Sequence, residues 1–347
     1  MKKAILAAAI ATLVAAPAAN ANVTIYGQVH VSIDSFNDDG SDDIWQVKSR
    51  ASRIGFKGTE DLGNGLSLIW KAETGYDFAD GGAWDSTGRN AYIGLTGDWG
   101  TFLYGRHDTP YKMAFYSTGI DVMGDTAMDM NALAPFNEVR ASNAIAYVSP
   151  NFNGLTFAAA IVPGEGADGP VNDTMDGLAD IWSVGVMYSN NGLKLAAAYE
   201  DLAVEADGWT GTGAEGNTKW LVGAGYTMNN LYVGVSYQNW EYGDDRDVDR
   251  TLNTWGVAGT YTFGNNMLAV NYAKSDQGDD DATGWGIGLS HKLSKRTSAY
   301  VVYADAENDG MTIVTLGGAP KNSTSDITDS SYGDDGSMFS IGMIHKF

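Results

Sequence analysis

Sixteen times between Asn22 and Phe347, large apolar side chains recur at every second position and then give way to a turn, the period of a β-strand with one greasy face. The runs lie near 22–36, 46–58, 65–79, 87–97, 100–108, 139–150, 153–163, 179–190, 192–203, 217–229, 230–242, 251–264, 265–275, 282–293, 296–305 and 336–347. Trp182, Val184, Val186 and Tyr188 share one face of their run while Ser183 and Gly185 take the other; Trp285, Ile287 and Leu289 oppose Gly284, Gly286, Gly288 and Ser290 in the same way. Such a chain is all-β. Alternation alone fits either a soluble sandwich with its apolar face inward or a barrel with that face outward in lipid.

Three further features choose the barrel. Lys2 and Lys3 precede a short alanine-rich run from Ala4 to Ala16, and Ala19-Asn20-Ala21 is a small-x-small cleavage site, so residues 1–21 read as a signal peptide and 22–347 as a single exported domain. The last run sets Phe339, Ile341, Met343 and Phe347 on one face against Ser340, Gly342, Ile344 and Lys346, and it stops flush on an aromatic residue. In water such an end frays; in a membrane it closes a sheet. The connections also alternate in length. Tight ones such as Asn190-Asn191-Gly192, Asn229-Asn230 and Gly264-Asn265 alternate with long acidic ones such as Asp38-Asp39-Gly40-Ser41-Asp42-Asp43 and the stretch from Ala306 to Asp335, matching the short periplasmic turns and long extracellular loops of an outer-membrane barrel.

Hydrocarbon offers no partner to an unpaired backbone group, so the strand at 22–36 should meet the strand at 336–347 and close a 16-stranded antiparallel transmembrane barrel. A barrel that wide cannot be filled by side chains alone, and water enters. The product is a channel. Aromatics flanking the apolar bands, such as Tyr237, Trp240 and Tyr261, are candidates for the interfacial girdles.

The formal charge of −22, more negative once Lys2 and Lys3 leave, argues against nucleic acid as a partner, and the absence of cysteine excludes disulfides. With 44% hydrophobic and 11% aromatic residues the chain is nonetheless an ordered one. Neither Gly-x-Ser-x-Gly nor His-Glu-x-x-His occurs, which disfavours a barrel hydrolase. His30, His107, His291 and His345 are scattered without metal-ligand spacing, and no cofactor is expected. The clusters Asp244-Asp245-Arg246-Asp247-Val248-Asp249 and Asp279-Asp280-Asp281 lack an EF-hand pattern and read as solvated charge that divalent ions bridge loosely to lipopolysaccharide.

Several stretches resemble the general bacterial porins of Gram-negative outer membranes: Val23-Thr24-Ile25-Tyr26-Gly27, the segment from Ser52 to Gly63, Arg89-Asn90-Ala91-Tyr92-Ile93-Gly94-Leu95, Gly105-Arg106, and the segment from Asn143 to Pro150. The resemblance implies a homotrimeric diffusion channel for ions and small hydrophilic solutes, with a third loop folded into the lumen and a terminal Phe347 read by the barrel-assembly machinery. It places an acidic loop, Asp108 to Glu138 with Asp121, Asp125, Asp129 and Glu138, opposite a basic wall of Arg53, Arg89 and Arg140, with Lys71 beside them. Unbroken alternation puts Arg53, Lys71 and Arg140 inward, while Arg89 needs a bulge or a rim position. The segment 79–87 is the expected latch onto a neighbouring copy. Ala146 stands where related porins often carry a base, and Ala134-Pro135-Phe136-Asn137 replaces their Pro-Glu-Phe-Gly. With its acidic vestibules the channel is expected to prefer cations mildly; a substrate-specific channel and an adhesin or structural barrel are the alternatives.

Overall fold

The computed structural model describes residues 22–38, 44–81, 88–134, 136, 138–165, 167–168, 174–175, 177–202, 218–242, 250–309 and 336–347. The expected leader (1–21), the cluster 244–249, and most of the latch and of the 306–335 loop lie outside them.

The strands are β1 (Asn22–Asp38), β2 (Ile44–Ser49), β3 (Arg53–Gly63), β4 (Leu66–Gly75), β5 (Ala91–Gly97), β6 (Gly100–Asp108), β7 (Arg140–Val148), β8 (Leu155–Val162), β9 (Ala167–Asp168), β10 (Thr174–Met175), β11 (Ile181–Asn190), β12 (Leu193–Asp201), β13 (Thr218–Met228), β14 (Leu231–Tyr242), β15 (Arg250–Phe263), β16 (Asn266–Gln277), β17 (Asp280–Lys292), β18 (Thr297–Asp309) and β19 (Gly336–Lys346). Successive strands pair antiparallel. β9 and β10 form a small separate hairpin, β8 pairs with β11, and β1 pairs with β19 from Gln28↔Lys346 to Asp38↔Gly336. The sheet is thereby closed. One half of β1 faces β2 and the other faces β3, so these two strands act as a single stave and the barrel has 16.

That split stave is one departure from the expected continuous run at 46–58. At the joint Ala51 adopts φ 37°, and Ser52 Oγ takes over the ladder: it donates to the His30 carbonyl and accepts from the His30 N–H, each at 2.9 Å. The interruption turns Arg50 into the wall, where its Nη2 lies 2.8 Å from Asp34 Oδ2 with both side chains fully buried. A second departure is at β16–β17. These strands extend until only Gly278 and Asp279 join them, with Gly278 at φ 65°, so one connection on the long-loop rim is tight.

Burial is inverted relative to a soluble sheet. Ile341 and Met343 are 51% exposed while Ser340 between them and Phe339 is fully buried. Trp285, Ile287 and Leu289 face out and the intervening glycines face in. On the opposite rim, turns take the left-handed residues a two-residue hairpin needs: Asn191 (φ 50°) with Gly192 (φ 82°), and Asn64 (φ 53°) with Gly65 (φ 76°). The outward face carries an aromatic band of stacked or tilted pairs, Trp182–Tyr199, Trp220–Tyr237, Trp255–Tyr272 and Trp285–Tyr303, with ring centroids 5.1–5.7 Å apart. Tyr237 and Tyr261 take part in the outward aromatic surface as expected. Trp240 does not: it is 1% exposed, because it shares parity with inward Ser236 and Gln238.

The 108–138 segment holds two helices, α1 (Pro110–Thr118) and α2 (Met130–Leu133). Thr109 caps α1 by accepting from Lys112 N–H, Pro110 supplies a preset φ at the first position, and Gly119 (φ 79°) ends it in the left-handed conformation. α1 packs on β11–β14 and α2 on β16 and β17. Tyr111, Phe115, Met128, Leu133 and Phe136 are fully or nearly fully buried in one cluster with inward alanines such as Ala196, Ala258 and Ala273. Each large side chain so buried contributes roughly 1.5–3 kcal/mol, which is why a long loop can lie fixed along the interior. Its contacts leave β3–β5 uncovered.

Candidate functional site

The uncovered wall carries a charge cluster centred on Glu73. Residues two apart on β4 face the same side, so Lys71 and Glu73 both point inward, and the antiparallel register sets Lys57 of β3 opposite Lys71. Glu73 Oε1 accepts from Arg89 Nε at 2.6 Å and lies 3.9 Å from Arg53 Nε; its Oε2 is 3.2 Å from Lys71 Nζ and accepts from the Tyr26 hydroxyl at 2.7 Å. The ammonium groups of Lys57 and Lys71 also stand over the Tyr26 ring, 5.3 and 5.6 Å from its centroid. Arg53, Lys71 and Arg89 are thus brought together. Arg89 reaches the cluster from outside the strand, two residues before β5, where the alternation of β5 does not bind it.

From the loop, Asp125 faces this wall, its Oδ2 being 3.9 Å from Arg53 Nη1. The other loop acids are used within the loop. Asp129 caps α2 by accepting from Asn131 N–H at 2.9 Å and also takes the N–H of Asp125, held at φ 60°. Asp121 accepts from Met130 N–H. Burial, reinforced by the nearby Asp129 charge, pushes the Asp121 carboxyl well above the ordinary carboxylate range. Glu138 pairs with Lys112 of α1 and accepts from the Tyr116 hydroxyl at 2.8 Å.

Arg140 belongs to a second cluster at the foot of the loop. A β-bulge beside Asn143 (φ 54°) breaks the alternation of β7 and sets Arg140 across from Asp108. Its Nε donates to Asn90 Oδ1 at 2.7 Å and Asp108 Oδ1 at 2.9 Å, and Lys112 Nζ lies 3.8 Å from the same carboxylate. Arg140 therefore ties loop to wall and is not gathered with Arg53 and Arg89 around Glu73. At the seam, Phe347 N–H donates to Gly27 O and Gly27 N–H to Phe347 O, and the Phe347 ring fills the space a Cβ on Gly27 would need.

Sequence reasoning missed Glu73, although the parity that placed Lys71 inward places Glu73 there too. It also missed Lys57, which sits on the inward side with Arg53.

A closed barrel with a greasy exterior, a charged interior and an inward loop is the architecture of outer-membrane porins. The chain matches the Gram-negative porin family over residues 6–311 and belongs to it. It is a multi-pass β-barrel of the outer membrane. Relatives include a chitoporin of Vibrio furnissii, 31% identical over 188 residues (52% of this chain, 50% of the relative), and an outer membrane porin protein of Bordetella pertussis, 31% identical over 242 residues (58% and 60%). The chain thus spans half to three fifths of these relatives' length. Major outer membrane protein P.IB of Neisseria lactamica is 30% identical over 256 residues, 69% of this chain and 71% of the relative. Among solved structures, an anion-selective porin from Comamonas acidovorans shares the fold with a TM-score of 0.78 at 22% identity, over 94% of this chain and 100% of that one. The trimer form of OmpT from Vibrio cholerae does so with a TM-score of 0.68 at 19% identity, over 94% and 99%.

Proposed function

We propose that the protein is a general diffusion channel of the outer membrane, passive, water-filled and without catalytic activity, for ions and small hydrophilic solutes. The observation that carries this reading is the pair of opposed charged faces: Asp125 of the loop stands 3.9 Å from Arg53, and both remain partly exposed inside a closed barrel. Such a throat lets a hydrated solute exchange water for fixed charges without binding tightly. Planar-bilayer conductance of the purified protein is the test; a protein that inserts and never opens sinks the reading.

The selectivity is set by the throat and the vestibules together. Lys57, Lys71, Arg53 and Arg89 are set against Glu73 and Asp125, so the throat itself carries a small positive excess, which the acidity of the whole chain, −22, outweighs. A mild cation preference results, strongest at low salt where screening is weak. A zero-current potential in a KCl gradient checks it. The alternative with an observation behind it is a sugar-specific channel, since the Vibrio furnissii relative is a chitoporin; saturable conductance block by soluble oligosaccharides separates the two.

The partners in this reading are two further copies in a homotrimer, in keeping with the trimeric OmpT neighbour, together with lipopolysaccharide and its divalent ions at the acidic rim, and the assembly machinery at Phe347. Native gel mobility before and after heating tests the trimer.

A further inference from the structure

What the wall lacks beneath the 108–138 loop sets how far that loop stands off. Under the start of α1, a Cβ added to Gly185 of β11 would lie 2.8 Å from the Pro110 carbonyl oxygen. Under the end of α1, a Cβ on Gly225 of β13 would lie 2.6 Å from the Thr118 carbonyl oxygen. Under α2, a Cβ on Gly284 of β17 would lie 2.9 Å from both the Cβ and the carbonyl oxygen of Leu133. The first loop atom met is backbone at Gly185 and Gly225, and backbone as near as any side-chain atom at Gly284, so no rotamer change of the loop relieves the contact. None of the three glycines has positive φ, so their own backbone would accept any residue. Space, and not conformation, requires glycine here.

Three such points, at the two ends of α1 and at the end of α2, fix a rigid body. The apolar cluster shared by the loop, from Tyr111 to Phe136, and the inward wall residues holds the loop against them. We propose that Gly185, Gly225 and Gly284 form a three-point seat whose depth sets the bore of the channel, making them size-determining positions remote from the charged throat. The inference rests on the channel reading. Ordinary nonbonded contact needs ~3.5–4.0 Å, so each added methyl asks the loop to retreat by about 1 Å. The direction of retreat, away from β11–β17, is toward the uncovered wall of β3–β5, where Asp125 already faces Arg53. The passage narrows on the side that conducts.

The test is single-channel conductance, with liposome swelling by neutral sugars of increasing size, on Gly185→Ala, Gly225→Ala and Gly284→Ala singly and combined. Gly259→Ala is the control, a β15 glycine with no loop atom within 4 Å. The triple variant should conduct roughly twofold less and reject the larger sugars, with single variants intermediate and the control unchanged. Wild-type conductance in the triple variant overturns the proposal, and so does increased conductance, which would mean the loop is expelled and not advanced. Should the triple variant fail to insert, Gly284→Ala decides by the same readings. A second measurement does not depend on conduction: the chain has no cysteine, so Arg53→Cys with Asp125→Cys can be bridged by a short bifunctional thiol reagent, faster when Gly284→Ala is also present. Equal rates count against the seat. A wild-type protein that never conducts sinks the channel reading alone, and the bridging rate still judges the seat.

Discussion

Replacing Glu73 with glutamine removes one negative charge from the centre of three positive ones while keeping the side chain's shape. Its carboxylate oxygens lie 2.6, 3.2 and 3.9 Å from the nitrogens of Arg89, Lys71 and Arg53. Glutamine's Oε1 still accepts from Arg89 while its amide N–H donates to the Tyr26 hydroxyl, so the barrel should fold, and circular dichroism and heat-modifiable gel mobility confirm that first. Unit charges ~4 Å apart interact by about 1 kcal/mol in bulk water and about 4 kcal/mol at an effective dielectric near 20. A permeating ion passes farther off, through water, past side chains about a quarter exposed, so the change it feels is on the order of 0.5–1 kcal/mol. An anion gains what a cation loses, so the anion-to-cation permeability ratio should rise about five- to thirtyfold. The zero-current potential across a tenfold KCl gradient reads it directly, and the shift should shrink at ~1 M salt, where the screening length falls to about 3 Å. An unchanged potential in a properly folded variant would show that Glu73 and its bases do not face the permeation path.

Three more outcomes follow from the geometry. Arg50→Ala or Asp34→Ala leaves one member of a fully buried ion pair unmatched and should cost about 3–5 kcal/mol, read as a lower unfolding midpoint in urea, whereas Arg140→Ala, at a more exposed pair, should cost less. Deleting Phe347 or making Gly27→Val, which collides with the Phe347 ring, should lower the yield of assembled barrel far more than the ~1.5–3 kcal/mol of one buried aromatic suggests; outer-membrane yield at the wild-type level would refute it. Asp121 has a raised folded pKa, so the stability it confers is complete below the ordinary carboxyl value and is lost as pH climbs toward the folded one; Asp121→Asn should therefore raise the melting temperature at pH 7 and flatten its pH dependence, as calorimetry at pH 4 and 7 can show.

The strands were legible because lipid enforces the period of two on every stave, so each face declares itself in the sequence. The site was legible only in part, for reasons particular to each residue. Lys71 and Glu73 carry the same parity signal, yet an acid was sought on the loop and not on the wall. Arg140 was misplaced because a bulge depends on one left-handed asparagine, and Asn143 looks like any other in the sequence. Arg50 stayed hidden because the run at 46–58 reads as one strand, and its break is visible only once Ser52 is seen bonding the His30 backbone. Asp121 and Asp129 look like throat charges by composition, but a helix of four residues is too short for its N-cap to announce itself. The girdle assignment of Trp240 followed residue type, where parity with Gln238 would have turned it inward.

The seam between β1 and β19 imposes an order of events. Every other stave pairs with a neighbour in the chain, so even over the longest loops those pairings close far less chain than the seam, where Gln28 waits for Lys346. Until β19 arrives, the growing sheet carries two bare edges, each a template for another chain. The slowest, most entropy-costly step is therefore also the last, and the intermediate before it is the one most exposed to aggregation. A net charge of −22 makes copies at this stage repel one another. The acidity thus protects the protein in transit, before it has a pore to tune.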